Sequence, residues 1–279
     1  MELNNNEDSK ATPRKMLART LLRMRTDAKL SLRALGERVG YPHSYLGRVE
    51  QGNQLPSKAL AEALDTYFGT RGLFADLLEM AQDASIPDYG RAVVHSEEKA
   101  ARIQVFNSSL IPGLLQTEDY ALALFRVSLV GESEERLSEH VETRMRRKRV
   151  FEKEEPSFFW AIIDEAALKR PVGGAKCMRD QIASMLEMMR TPHVTVQVLP
   201  FTQGEHPMLG GSMSLLTLQS GATIGYVESF ASGEPAESPR MILMLTQMFD
   251  MARSKALPEK ESLALIHAYL GEYENAEGS

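Results

Sequence analysis

The chain has 279 residues, of which 43% are hydrophobic and 25% are charged, and its formal net charge at pH 7 is −6. This composition excludes an intrinsically disordered chain, and no apolar run reaches the roughly 18 residues that a transmembrane helix requires. Because Cys177 is the single cysteine, no internal disulfide can form, and a cytoplasmic location is expected. The acidic, polar N-terminus is unlike a secretory signal.

Basic residues are concentrated near the N-terminus. Residues 10–71 contain 12 Lys and Arg against 5 Asp and Glu, whereas the chain as a whole is acidic. This asymmetry indicates a nucleic-acid-binding module joined to an acidic body. The alternative is a chance clustering of basic residues on solvated helices.

The N-terminal segment has the pattern of several short helices. An amphipathic helix is predicted over residues 14–28. Ser31 is placed to cap the next helix, and Gly40 is suited to the left-handed turn that would end it. A third helix is predicted over 43–51. Further helices are predicted over 57–68, with Ser57 as its cap, and over 72–83, which could cover the core or pair two subunits.

The helix predicted over 43–51 has two different faces. Tyr45, Leu46 and Val49 can face a core, and the opposite face is polar. Two short helices joined by a tight turn, the second with a polar outer face, form a helix-turn-helix that fits the major groove of DNA. The string SLRALGERVGYPHSYLGRVEQGNQLPSKALAEALDTYFG resembles the XRE/Cro-type helix-turn-helix of bacterial and phage repressors. The resemblance implies a compact all-helical domain of four or five helices.

The same resemblance implies which residues contact DNA. Phosphate contacts are expected from Arg33, Lys58 and Tyr45, and base contacts from His43, Ser44, Arg48 and Gln51. Arg48 is the strongest candidate because a guanidinium group can donate to both acceptors on a guanine edge. Its alternative role is an ion pair with Glu37 or Glu50.

Pro42 departs from the resemblance. It stands where the family commonly has a capping Ser or Thr, and proline has no oxygen to cap a helix. We therefore expect the third helix to begin one residue earlier, with Pro42 in its first position. That start would shift His43 relative to the groove.

Beyond residue 96 the pattern mixes helices and strands. Helices are predicted over 96–105, from Thr117 onward, and over 174–190. Strands are predicted over 158–163, 194–201, 212–218 and 223–228, and two final helices over about 237–254 and 259–271. The expected fold class is α+β, with an N-terminal all-α helix-turn-helix domain followed by a mixed α/β C-terminal domain.

Four strings in this second part support a second resemblance. IPGLLQTEDYA, IIDEAALKRPVGG, VTVQVLPFTQGEH and GYVES resemble the antitoxin-like C-terminal domain, of unknown function, of actinomycete XRE regulators. The resemblance implies a transcriptional regulator with a small partner protein encoded nearby, and it carries no catalytic chemistry to this chain. The expected organisation is a flexible tail at 1–12, the helix-turn-helix domain at 13–84, a linker at 85–95, the regulatory domain at 96–273 and a flexible tail at 274–279.

The sequence contains no catalytic constellation that would indicate an enzyme. It has no Gly-x-Ser-x-Gly elbow, its six histidines lack metal-ligand spacing, and Gly204–Ser212 only loosely resembles a phosphate loop. No catalytic residue, cofactor or metal is therefore expected. Asp164 and Glu165 are interpreted as acids of a helix start rather than a carboxylate pair, and His206 as a turn residue rather than part of a ligand pocket.

Two further stretches have alternative interpretations. The basic run at 144–149 is expected to be a solvated helix face, with contact to DNA or an acidic partner as the alternative. Four methionines recur at helical spacing and are expected to be core, with partner binding as the alternative; they are Met241, Met244, Met248 and Met251.

The combined prediction is a sequence-specific transcriptional regulator. It is expected to bind a double-stranded DNA operator as a homodimer, and its C-terminal domain is expected to sense a partner protein or a small ligand. The alternative is an antitoxin-like protein that sequesters a small partner and binds DNA for autoregulation. A third alternative, an enzyme with a DNA-targeting module, has no motif to support it. No membrane contact is expected.

Overall fold

The computed structural model describes residues 12–83, 88–228 and 233–277. The chain forms two compact units, residues 1–87 and 88–279. The tail expected at 1–12 lies outside the described residues except for Thr12. The start of the expected linker, 85–87, also lies outside them.

The N-terminal unit is all-helical, as expected. Its helices are α1 (Pro13–Asp27), α2 (Leu32–Val39), α3 (His43–Glu50), α4 (Lys58–Phe68) and α5 (Leu73–Asp83). Each contributes apolar side chains to one core, which includes Leu17, Leu35, Leu46, Leu64 and Phe74. Because Phe74, Leu77 and Leu78 of α5 are buried there, α5 covers the core of its own unit.

The predicted caps of this unit are confirmed. The Ser31 hydroxyl accepts the Ala34 N–H at 3.1 Å, and the Ser57 hydroxyl accepts the Leu60 N–H at 3.1 Å. Gly40 ends α2 with a φ of +78°, a conformation that costs glycine little because it has no side chain. These features depend on contacts within a few residues, which is why the sequence indicates them.

A buried carboxylate joins α4 to α5. Asp65 is 8% exposed, and its oxygens accept the N–H groups of Phe74 at 2.9 Å and Ala75 at 3.0 Å. It also accepts the Thr70 hydroxyl. Asp65 therefore satisfies backbone donors at the start of a helix that lies beyond its own.

Replacing Asp65 with alanine should destabilise the N-terminal unit by about 2 kcal/mol, because two backbone donors lose their charged acceptor. Hydrogen exchange of the amides of α4 and α5 measures this loss. Trp160, the single tryptophan, lies in the other unit, and its unfolding transition should not move. Asp76→Ala removes an exposed acid from the first turn of α5 and serves as the control. Equal effects of the two variants would contradict the prediction.

The C-terminal unit is a six-stranded sheet with helices. Its helices are α6 (Asp88–Lys99), α7 (Glu118–Ser128), α8 (Glu134–Arg146), α9 (Ala166–Lys169), α10 (Ala175–Met188), α11 (Pro239–Lys255) and α12 (Glu259–Glu277). Its strands are β1 (Ala100–Asn107), β2 (Phe158–Asp164), β3 (Val194–Leu199), β4 (Ser212–Leu218), β5 (Thr223–Glu228) and β6 (Gly233–Ala236). The fold class is therefore α+β, as predicted.

The strand order is β3-β2-β1-β4-β5-β6. Strands β1, β2 and β3 pair in parallel, and the remaining neighbours pair antiparallel. One face of the sheet packs on a core that receives Met178 and Ile182 of α10 and Ile266 of α12. The other face packs on Leu245 and Phe249 of α11. The mixed sheet is thus covered by helices on both faces.

The segment around residue 96 differs from its prediction. The expected linker over 88–95 is the first part of α6, which buries Val93 and Glu97, one helical turn apart, on one face. The helix expected over 96–105 is wrong from Ala100 onward, because that stretch is β1. β1 is held by backbone pairing with β2 on one side and β4 on the other, and such tertiary pairing overrides a local helical pattern.

The end of the chain also differs. The tail expected at 274–279 is helical as far as Glu277, where α12 ends, and residues 278–279 lie outside the described residues. A sixth strand that the sequence did not indicate, β6, pairs with β5. β6 contains Pro235, which is tolerated because β6 is an edge strand.

Candidate nucleic-acid interface

The turn between α2 and α3 requires a glycine at its base. The Gly36 carbonyl accepts the N–H groups of Gly40 at 2.9 Å and Tyr41 at 3.0 Å. A Cβ on Gly36 would lie 2.5 Å from the Tyr41 carbonyl oxygen, so no side chain fits there. Gly36 thereby lets the chain double back and sets the position of α3 against α2.

α3 begins at His43, so the expectation of an earlier start at Pro42 is wrong. Pro42 is the N-cap, with extended backbone at ψ 135°, and its side chain makes no capping bond. Its carbonyl instead accepts the N–H groups of Tyr45 and Leu46. Proline is tolerated in a first helical position, as in α1 and α11, but the extended ψ of Pro42 places this residue outside α3.

The base-contact candidates lie together on the exposed face of α3. His43, Ser44 and Arg48 are exposed, and Gln51 is exposed just after the helix. Leu46 and Val49 are buried on the opposite side. The two-faced helix expected from the sequence is therefore present.

Arg48 is oriented by neighbours that the sequence did not indicate. Its Nε donates to the Gln54 side-chain oxygen at 2.8 Å, and its guanidinium lies 6.0 Å from the centre of the Tyr45 ring. The alternative ion pairs are not formed, because Glu50 pairs with Arg25 and Glu37 pairs with Arg33. Gln54 follows the helix in an exposed turn and carries no sequence pattern that would identify it.

The phosphate-contact candidates have two different environments. Arg33 and Lys58 are exposed and pair weakly with Glu37 and Glu62 of their own helices, at 3.3 and 4.0 Å. Such solvated pairs contribute little and are easily exchanged for a phosphate. Tyr45 is half-buried, and its hydroxyl accepts the Ser57 N–H at 2.7 Å. The Tyr45 hydroxyl thus links α3 to the start of α4.

A nearly buried ion pair ties α3 to α1. Arg25 donates from Nε and Nη2 to the two Glu50 oxygens at 2.6 and 2.9 Å, and from Nη1 to the Leu30 carbonyl at 2.7 Å. The side chains of Arg25 and Glu50 are 17% and 6% exposed. The hydrogen bonds to Glu50 raise the pKa of Arg25. This pair holds the exposed face of α3 in place.

Two family models match this chain. Residues 16–77 match a helix-turn-helix domain, and residues 91–268 match a domain of unknown function, DUF5753. The second match covers more than half of the chain. The chain belongs to the DUF5753 family. It carries a helix-turn-helix DNA-binding domain in front of its DUF5753 domain, and this confirms the helix-turn-helix prediction. No curated protein and no solved structure matches the chain.

The DUF5753 domain brings His206 and Asp164 together. His206 Nε2 lies 3.4 Å from Asp164 Oδ2, and the His206 side chain is 3% exposed. Within the described residues, this Nε2 has no hydrogen-bond partner. Asp164 also accepts the Ala166 N–H at 2.8 Å, as expected of an acid at a helix start. The contact is packed inside the domain, against the Phe106 ring.

Glu165 is engaged in structural hydrogen bonds. Its oxygens accept the Tyr269 hydroxyl and the Phe201 N–H, both at 2.7 Å. Burial and the bond to Glu165 raise the pKa of Tyr269. Among the described residues, no cluster of three or more His, Cys, Asp or Glu side chains could hold a metal ion. None of the helices in those parts of the chain combines the length and apolar content that crossing a bilayer requires.

The structure distinguishes between the alternatives for the basic run at 144–149 and for the methionines of α11. The basic run is not a solvated face, because Arg147 binds Glu97 with two hydrogen bonds of 2.8 Å and only Arg149 in the run is exposed. The methionine prediction is wrong for three of four residues: Met248 packs on the core, whereas Met241, Met244 and Met251 are 40%, 44% and 54% exposed. α11 therefore covers the sheet with one face and leaves an apolar face outside.

Proposed function

We propose that the protein is a sequence-specific transcriptional regulator. It binds a double-stranded DNA operator as a homodimer in the cytoplasm, in the manner of the actinomycete XRE regulators, and performs no catalysis. Its DUF5753 domain receives the signal, and the preferred signal is a small ligand. The observation that carries the proposal is the exposed polar face of α3, held by the Arg25–Glu50 pair and presenting Arg48.

The geometry of Arg48 supports a base contact. Its guanidinium is exposed, is held by a neutral amide rather than a carboxylate, and keeps its charge for a partner. A guanine edge offers the two acceptors that such a group pairs with. Arg33 and Lys58 are exposed charges of α2 and α4 that are suited to phosphate.

Arg48→Ala should weaken operator binding by about 1–3 kcal/mol and relax the preference at one base pair in each half-site. The measurement is the affinity of wild type and variant for DNA from upstream of the protein's own gene and for scrambled DNA, at two salt concentrations. Arg33→Ala and Lys58→Ala should weaken binding to both DNAs alike and reduce its salt dependence.

Arg38→Ala is the matched control for the lost charge. Arg38 is exposed on α2, but it donates to the Tyr67 hydroxyl at 3.1 Å and lies over that ring. Its removal should leave the preference for operator over scrambled DNA unchanged. Equal operator affinity of Arg48→Ala and wild type, or an equal loss in Arg38→Ala, would remove Arg48 from the proposed role.

The antitoxin-like alternative is favoured by one observation, the exposed apolar face of α11. Leu243 is 59% exposed beside Met244 and Met251, and methionine-rich surfaces suit adaptable partner binding. In this alternative the main activity is capture of a small protein encoded next to the gene.

Co-expression of the full-length chain with that neighbouring small protein tests the alternative. A 1:1 complex in size-exclusion chromatography that Met244→Lys disrupts would support it. His267→Lys, at an exposed position of α12, is the control. Separate elution of the two proteins, or equal disruption by the control, would reject it.

A further inference from the structure

The DUF5753 domain contains a cavity of about 360 Å³. It lies among α6, β1, α7, α8 and β4, together with the segment 110–116 that precedes α7. Its apolar lining includes Val105, Leu110, Leu114, Leu124, Phe125 and Phe159. Its volume is in the range of pockets for small organic molecules.

Two guanidinium groups converge at one point of this cavity, over Gly113. A Cβ placed on Gly113 would lie 3.3 Å from Nη1 of Arg144 and 3.3 Å from Nη1 of Arg147. The two nitrogens are therefore no more than twice that distance apart. Two like charges this close favour an anionic group in a poorly solvated site, and Glu97 is such a group for Arg147.

Both arginines are held in place by other side chains. Arg147 donates Nε and Nη2 to Glu97, which is 3% exposed. Arg144 donates Nη1 to the Gln116 oxygen at 2.7 Å and lies 5.0 Å from the centre of the Phe125 ring. Gln116 is itself fixed by a 2.7 Å bond to the Ile111 carbonyl. Groups oriented in advance bind a ligand with less loss of entropy.

The charges of the lining limit the charge of the ligand. Glu97, which pairs with Arg147, and Glu228 also line the cavity and limit the positive charge that its two arginines provide. A dianion or polyanion would be repelled by these carboxylates, whereas a single planar carboxylate matches the fork of a guanidinium group. The apolar part of the lining favours a ligand whose remainder is largely hydrocarbon.

We propose that this cavity binds a small amphipathic monocarboxylate. Its carboxylate accepts hydrogen bonds from Arg144 and Arg147, and its apolar body lies along Leu124, Phe125 and Phe159. This assignment rests on the proposed regulatory function, because it names the chemical class of the signal. It uses no residue of the helix-turn-helix domain.

The test measures direct binding to the full-length protein by calorimetry. The probes are octanoate, phenylbutyrate, octan-1-ol and octylamine, so that carboxylate, alcohol and amine can be compared on one hydrocarbon chain. At least one carboxylate should bind saturably, and at least about tenfold more tightly than the alcohol and the amine. Arg144→Gln should weaken carboxylate binding about tenfold or more.

Two further variants separate this site from general effects. Arg126→Gln removes an exposed arginine of α7 that pairs with Glu134 and does not line the cavity, so it should bind like wild type. Ser214→Phe places a large side chain in the cavity from β4 and should abolish carboxylate binding. If Arg144→Gln does not fold, this variant tests whether the carboxylate binds in the cavity. Thermal unfolding without ligand reports the folding of each variant.

Three results would overturn the proposal: neither carboxylate binds, the alcohol or amine binds as tightly, or Arg126→Gln loses as much affinity as Arg144→Gln. Because binding is measured without DNA, these failures are distinct from a failure of operator binding. Addition of the bound carboxylate to the DNA assay then shows whether it changes operator affinity.

Discussion

Glu50→Ala is expected to destabilise the N-terminal unit by about 3 kcal/mol, because it leaves the Arg25 guanidinium nearly buried without its carboxylate. The same change releases α3 from α1, so operator affinity should fall as well. Hydrogen exchange of the α1 and α3 amides measures the stability. The unfolding transition of Trp160 in the other unit should remain that of wild type.

Glu37→Ala is the matched control for this change. It also removes a glutamate that pairs with an arginine, but the side chains of Arg33 and Glu37 are 83% and 69% exposed. Its effect should stay below about 0.5 kcal/mol, since solvated pairs contribute little. If both variants lost a similar amount of stability, the contribution of the Arg25–Glu50 pair could not be attributed to its burial.

Gly36→Ala is expected to destabilise the helix-turn-helix by about 3 kcal/mol. Its new Cβ would meet the Tyr41 carbonyl oxygen at 2.5 Å, and backbone cannot move aside as a flexible side chain can. The displaced turn should also move α3 and lower operator affinity. Calorimetric unfolding of the full-length protein, with hydrogen exchange to assign the affected helices, measures the change.

Gly47→Ala provides a control of opposite sign. A Cβ on Gly47 would lie 3.5 Å from the Leu32 side chain, an ordinary contact. Because alanine is the better helix former, this variant should be stabilised by about 0.5–1 kcal/mol. If Gly36→Ala were stabilised as well, the close approach at Tyr41 would not constrain the turn.

Prediction from the sequence worked where contacts are local. The caps at Ser31 and Ser57, the left-handed Gly40 and the two faces of α3 all depend on residues a few positions apart, and periodicity or residue type reveals them. The sequence-based prediction is wrong from residue 100 onward, where the pattern is helical but the structure forms β1. Pairing with β2 and β4 decides that conformation, and those strands lie far along the chain.

The candidate sites show the same division. Residue type and spacing placed Arg48 on an exposed helix face, but only the structure showed that Gln54 holds it and that Glu50 belongs to Arg25. Spacing alone suggested that the methionines of α11 were core. The sheet covers one face of that helix, so three of them are exposed.

The sequence by itself determined the all-helical N-terminal domain, its helix-turn-helix and the mixed nature of the second domain, because these follow from local propensity and periodicity. Only the tertiary structure decided which charges pair and where a cavity lies. Arg144 and Gln116 are 28 residues apart, and Arg147 and Glu97 are 50 apart. The approach of the Arg144 and Arg147 side chains to Gly113 depends on how α6, α7 and α8 pack, and no local pattern encodes that packing.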